Sequence, residues 1–211
     1  IYTNFKSAAD YLIMMQLLRL FLIIYSVVTG IESVTATGIL VSGLIFDYAV
    51  VMVFAFEKPL YKPSVKKGEQ TPQEQRKLSS VTLSVVLIAL LWSVIVIALP
   101  LAFRGTEIFS SDREVESYAF VALLFAQLLL VFVNRTGWRD ADSRLQISPM
   151  LIGYCGAIIA FIACAVLVPS FGMLFGVFEL GAVSFILALC PSIVMIAAFM
   201  IDRRLRRGGK Q

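Results

Sequence analysis

Apolar residues dominate six stretches of this chain, and few charged residues interrupt them. Each stretch has about 20 residues, the length at which an α-helix crosses the hydrocarbon core of a bilayer. The connectors are short except for a polar segment at 57–79, where Pro59, Pro63, Gly68 and Pro72 predict an irregular loop. The predicted spans lie at about 8–29, 36–56, 80–103, 117–134, 148–167 and 180–201.

Composition supports lipid as the solvent of these segments. Hydrophobic residues make up 59% of the 211 residues and charged residues 15%, and the mean hydropathy is +0.88. Soluble domains are typically about 45–50% apolar and about 25% charged. The chain therefore predicts an all-α membrane protein, a six-transmembrane-helix bundle forming a single transmembrane domain over 1–211. It argues against a soluble catalytic domain, a nucleic-acid binder and a disulfide scaffold.

Few side chains are suited to catalytic or metal chemistry. The chain has no histidine, which removes the usual triad base and the commonest metal ligand. Cys155, Cys164 and Cys190 lie in apolar runs without CxxC spacing, and we interpret them as small buried hydrophobic residues. We therefore expect no catalytic residue, metal site or cofactor in these residues. Because the sequence starts at Ile1 without a signal peptide, we expect a piece of a longer chain.

Lysine and arginine are distributed unevenly between the two sides of the predicted bundle. Of the 18 residues, 15 lie on the side of both termini, Arg104 and Arg113 lie on the other side, and Arg19 lies inside the first span. The positive-inside rule assigns the basic side to the cytoplasm. We therefore expect cytoplasmic termini, a cytoplasmic loop at 57–79 and a multi-pass location in the plasma (inner) membrane.

Two charged side chains lie near the middle of apolar runs, Arg19 in the first span and Asp47 in the second. A central charge costs at least about 2.5–3.5 kcal/mol on insertion scales. The two spans form an antiparallel hairpin, which brings both residues to the same depth within roughly one to two helical turns. We therefore predict a buried Arg–Asp pair, which is either a structural salt bridge or a site that handles a proton or cation.

Three uncharged polar residues accompany this pair. Gln16 lies close to Arg19 along the first span, Ser42 lies close to Asp47, and Gln127 is central in the fourth span. Each suits either an interhelical hydrogen bond or a ligand role.

Several segments carry a family resemblance. The chain opens with IYTNFKSAADYLI, continues through ILVSGLIFDYAVVMVFAFEKP and SYAFVALLFAQLLLVFVNRT, and closes with two spans and a basic tail. The third segment matches the pattern Ala-Phe-x-x-Leu-x-x-x-Gln-Leu-x-x-x-Phe-x-x-Arg. In this order the segments resemble membrane helices five, six and eight, and then nine and ten, of the P-type cation-transporting ATPases. The resemblance covers essentially the whole chain and implies half of the transport domain of an ATP-driven pump.

The resemblance assigns roles to the polar residues. Asp47 falls on the ion-binding aspartate of the sixth helix and Gln127 on the ligand position of the eighth. Gln16 falls on the amide position of the fifth helix, and Arg19 on a position that is acidic in calcium pumps. An Arg opposite an Asp is similar to plasma-membrane proton pumps, in which the aspartate carries the proton. The implied ion-binding or transport set is Asp47, Arg19, Gln16, Gln127 and Ser42.

The chain departs from the family pattern around Asp47. Gly43 and Phe46 occupy two further ligand positions, and Tyr48, Ala49 and Val50 replace the usual proline that unwinds the sixth helix and frees carbonyls. A calcium site needs six to eight oxygen ligands. This set argues against two-calcium transport and favours a proton or a monovalent cation.

The family's Asp-Lys-Thr-Gly phosphorylation motif does not occur in these residues. The chain alone is therefore not an enzyme, and the parent chain would be the P-type ATPase, using ATP and Mg. Expected partners are the lipid bilayer, a cation or proton, and the phosphorylation, nucleotide-binding and actuator domains and first four helices of the parent pump. Two alternatives stay open: a stand-alone secondary transporter or channel, and a non-transporting scaffold in which Arg19 and Asp47 form a structural lock.

Overall fold

Helices make up the regular structure of the residues described below. The computed structural model describes residues 2–56, 72–103, 105–106, 108–109, 111–134, 148–178 and 180–208. The elements are α1 (Tyr2–Thr29), α2 (Ala36–Leu40), a π-helical segment (Val41–Asp47), α3 (Tyr48–Phe56), α4 (Pro72–Ala102), α5 (Asp112–Asn134), α6 (Pro149–Leu167), α7 (Pro169–Met173) and α8 (Ala182–Gly208).

Six segments within the described ranges are long and apolar enough to cross a bilayer. They are Ser7–Thr29, Ala36–Phe56, Ser84–Ala102, Asp112–Asn134, Pro149–Leu167 and Ala182–Asp202. This result confirms the predicted class, an all-α membrane protein with a six-helix bundle. The second span combines α2, the π-helical segment and α3, so it is not one regular α-helix.

The ends of two helices differ from the sequence prediction. The helix α4 begins at Pro72, so the irregular loop predicted over 57–79 is wrong for its last residues, while 57–71 lie outside the described part. Proline is favoured in the first turn of a helix, and the Gln, Glu, Arg and Lys residues after it are good helix formers. The helix α5 begins at Asp112 rather than at 117, with Asp112 and Glu114 in its first turn, where the helix dipole favours carboxylates.

One helix, α5, forms the centre of the bundle. In its most apolar stretch 83% of the residues are buried, compared with 28–39% in the other five spans. It packs most extensively against α8 and also contacts α1, α6 and the π-helical segment. Its neighbours therefore meet lipid on their outer faces, while α5 meets mainly protein.

The cysteines do not lie in the core. Cys164 is exposed, and Cys155 and Cys190 are half-buried, so their interpretation as buried residues is wrong. Lipid is as apolar as a protein core, and it gives apolar side chains on the outside of a bundle no reason to turn inward.

The packing of α7 against the end of α6 depends on a glycine, Gly172, within α7. The Gly172 amide donates to Val168 O and the Gly172 carbonyl accepts from Val177 N, each at 2.9 Å. A Cβ at Gly172 would overlap the backbone oxygens of Ala165 and Val177, which have no freedom to move aside.

We predict that Gly172→Ala destabilises the bundle by about 1–3 kcal/mol, the usual cost of overpacking a tight contact. Gly153→Ala on α6 is the matched control, because nothing lies within 4 Å of an added Cβ there. The midpoint of thermal unfolding in detergent compares the two variants. Equal midpoints would contradict the close backbone contact.

Candidate functional site

A buried ion pair joins α1 to the second span. Nη1 of Arg19 lies 2.6 Å from Oδ2 of Asp47, and the two side chains are only 3% and 4% exposed. Breaking such a pair leaves an uncompensated charge in a low dielectric, which is strongly unfavourable. The two charges predicted to share one depth are therefore in direct contact.

The second carboxylate oxygen of Asp47 has two further donors. Tyr11 Oη donates to Oδ1 at 3.2 Å, and Gln127 Nε2 donates to the same oxygen at 2.9 Å. Tyr11 comes from α1 and Gln127 from α5. Donors from two other helices, α1 and α5, thus converge on one carboxylate of the π-helical segment.

The π-helical segment adds backbone and hydroxyl contacts to this network. Gln127 Nε2 also donates to the Ser42 carbonyl at 2.8 Å. Ser42 Oγ accepts from Nε of Arg19 and donates to Ile39 O, both at 3.1 Å. π-Helical turns are rare and occur frequently at functional sites. The chain lacks the family's proline at 48–50, and its irregular backbone lies in the seven residues before that position, where the Ser42 carbonyl accepts from the Gln127 amide.

The two positions that depart from the family pattern add no side-chain oxygen. A Cβ at Gly43 would lie 3.6 Å from Arg19 Nη1, so the glycine backs directly onto the guanidinium. Phe46 packs edge-on against Phe161 of α6, with ring centroids 5.2 Å apart. Among the described contacts, the second span therefore contributes one carboxylate, one hydroxyl and two carbonyls to the network.

Two buried atoms of the network have unused hydrogen-bonding capacity. Arg19 Nη2, a donor, and Gln127 Oε1, an acceptor, have no hydrogen-bond partner among the described residues. Buried polar atoms are normally paired with protein or with ordered water. Both atoms belong to side chains that contact Asp47, so the site has the capacity to bind a further small polar species.

The structure brings together four of the five predicted residues: Asp47, Arg19, Gln127 and Ser42. Gln16 is exposed on α1, outside the network. Tyr11 was not predicted from the sequence. Its signal was a hydroxyl in an apolar run, about 12 Å along the helix from Arg19, and a buried tyrosine hydroxyl usually finds a partner.

The fold and this network define a class, the polytopic all-α membrane proteins with a buried, hydrogen-bonded ion pair in the core. Residues 32–205 match a family model described as cation transporting ATPase, C-terminus. The chain therefore belongs to this family, which confirms the resemblance to the P-type cation-transporting ATPases. The matched range includes Ser42, Asp47 and Gln127, while Tyr11 and Arg19 precede it. A comparison with curated proteins finds no match.

We predict strong coupling between the two charges. Arg19→Met and Asp47→Leu should each lower the free energy of unfolding by about 3–5 kcal/mol, because each leaves its partner buried and unpaired. The double variant should lose much less than the sum. Denaturant titration of the protein in mixed micelles measures all four states, and simple additivity would contradict the coupling.

A separate prediction concerns Tyr11. We expect Tyr11→Phe to lower the free energy of unfolding by about 1.5–3 kcal/mol, the range for a hydrogen bond to a charged group. Tyr118→Phe is the matched control, because Oη of Tyr118 is buried without a hydrogen-bond partner among the described residues. The same titration tests both, and an equal loss in the two variants would show that the Tyr11 hydroxyl contributes nothing specific.

Proposed function

We propose that this chain is the transport half of the membrane domain of a P-type cation pump, and that the network around Asp47 is its proton or cation site. The observation that carries the proposal is a carboxylate of the π-helical segment that is buried in a membrane span and contacted by α1 and α5. An ionisable residue within the membrane is costly and commonly marks an ion or proton pathway.

The charge balance of the site favours a proton or a monovalent cation. Arg19 already neutralises Asp47, and a divalent ion beside the guanidinium would meet repulsion from a like charge. A proton on Asp47 would weaken the attraction between Asp47 and Arg19. For a monovalent cation, the network offers the acceptor Oε1 of Gln127, which has no hydrogen-bond partner among the described residues. The proposed site consists of Asp47, Arg19, Ser42 and Gln127, with Tyr11 added and the exposed Gln16 left out.

The helix α1 would couple this site to the rest of the pump. It carries both Tyr11 and Arg19, so any displacement of α1 along its axis changes two of the contacts of Asp47. In the parent pump, the phosphorylation, nucleotide-binding and actuator domains would use ATP and Mg to move this helix. We further propose cytoplasmic termini and a plasma-membrane location, on the basis of the Lys and Arg distribution.

The decisive experiment measures vanadate-sensitive ATPase activity of the full-length protein in liposomes, over a panel of monovalent cations and pH values. We expect one condition to stimulate the wild type and Asp47→Asn to lower that stimulation about tenfold or more. Asp202→Asn is the control, because this carboxylate also accepts a hydroxyl hydrogen bond, from Ser84 at 3.1 Å, at the far end of α8.

Other outcomes would support the two alternatives. Unchanged stimulation in Asp47→Asn would make the ion pair a structural lock. Passive ion flux through the isolated chain, without any ATPase activity of the full-length protein, would favour a stand-alone transporter or channel.

A further inference from the structure

A second buried carboxylate lies on the central helix, far from Asp47. Glu116 is only 7% exposed, and its Oε1 has no hydrogen-bond partner among the described residues. A buried carboxylate oxygen without a partner is unfavourable unless it serves a ligand or a proton. The ion pair and its network do not use this residue.

Glu116 lies on the same face of α5 as Gln127. Eleven residues separate them, which is close to three full turns and about 16 Å along the helix. Glu116 is in the second turn of α5, at the end of the bundle opposite both termini. The helix α5 therefore presents Gln127 to the ion pair and Glu116 near the membrane surface on the side away from both termini.

Two connections enclose Glu116 at that surface. Gly176, between α7 and α8, has a φ of +77°, and a Cβ there would lie 2.6 Å from Oε1 of Glu116. Thr35, before α2, donates from Oγ1 to Phe175 O at 3.0 Å. Ser117 Oγ accepts from the Phe178 amide at 2.8 Å. These hydrogen bonds fix the two connections without involving Glu116. The carboxylate of Glu116 is therefore not needed to stabilise the connections.

One helix interface leads from Glu116 to Asp47. The α2 end of the second span packs on α5, where a Cβ at Gly38 would lie 3.0 Å from Cε2 of Phe120. One or two turns further along, Gln127 bonds the Ser42 carbonyl. The fully buried Phe120 lies one turn after Glu116 and about two turns before Gln127 on α5, so an apolar ring occupies the helix between its two polar residues.

We propose that Glu116 is a second carrier for the transported proton or monovalent cation, at the end of the route opposite the termini. This inference rests on the proposed function of Asp47. For a proton, Asp47 gives up the proton as Glu116 accepts it, through water that enters when Phe120 moves, and Glu116 then releases it to the aqueous side. Among the described residues, the charged groups that act on Glu116 are Glu32 of the α1–α2 connection and Arg113 of α5.

The test uses the full-length pump in liposomes with Glu116→Gln, Glu116→Asp and Ser117→Ala. Ser117→Ala loosens the same connection without removing a carboxylate. For Glu116→Gln we expect the cation or proton concentration that half-saturates phosphorylation from ATP to stay within about twofold, because Asp47 is intact. Transport turnover should fall about tenfold, and phosphoenzyme decay should no longer respond to pH or cation on the opposite side. Glu116→Asp should restore part of that response, and it provides the test if Glu116→Gln fails to fold.

Three results would overturn the proposal. The first is wild-type turnover in Glu116→Gln, and the second is an equal loss in Ser117→Ala, which would make the effect one of loop packing. The third is the finding that phosphorylation of the wild-type protein depends on neither a cation nor a proton. This result would also contradict the proposed function of the Asp47 site. In the first two cases the wild type still pumps, so the role of Asp47 survives.

Discussion

The carboxylate of Asp47 is the constraint on which the rest of the bundle depends. Moving an ion out of water costs several kcal/mol even after relaxation, and lipid offers no compensating partner. Arg19, Tyr11 and Gln127 supply that compensation from two other helices, with contacts of 2.6 to 3.2 Å. A slip of α1 or α5 by one residue would move a donor by about 1.5 Å and turn it by about 100°. One side chain thereby fixes the register of three segments that apolar packing alone would leave free to slide.

The central position of α5 results from the same requirement. The helix α5 carries buried polar residues at two depths, Glu116 and Ser117 near one end and Gln127 in the middle. Exposing these side chains to lipid would be unfavourable. Protein around α5 keeps these residues away from lipid, which agrees with the 83% burial of its most apolar stretch while its neighbours keep exposed faces. Because protein encloses most of α5, this helix is the shared packing partner of α1, α6, α8 and the π-helical segment.

Features that composition and periodicity determine were predictable from the sequence, and features that depend on packing were not. Six apolar runs were enough for the fold class, and two charges at one depth in adjacent spans were enough to pair Arg19 with Asp47. The other hydrogen-bond partners of Asp47 were harder to predict. Gln127 was found as a polar residue central in an apolar span and again through a family pattern. Tyr11 was not found, because a tyrosine in an apolar run resembles any other amphipathic residue until its hydroxyl meets an acceptor. Gln16 shows the converse situation. It shares a helix with Arg19, yet it is exposed, since proximity along a helix does not fix which face meets the neighbouring span.

The π-helical segment could not be predicted because its cause lies outside its own residues. No proline marks it, and its sequence VSGLIFD is as apolar as a regular membrane helix. The stabilising contacts come from across the bundle, from Arg19 to Ser42 Oγ and from Gln127 to the Ser42 carbonyl. A π-helical turn holds one more residue than an α-helical turn, so conversion to a regular helix would rotate one flank relative to the other by about 100°. Asp47 is the last residue of the segment, which places the carboxylate at the point where that rotation would separate it from Arg19 and Gln127. The irregular backbone thus holds the Asp47 carboxylate within reach of both Arg19 and Gln127, without any proline in the segment.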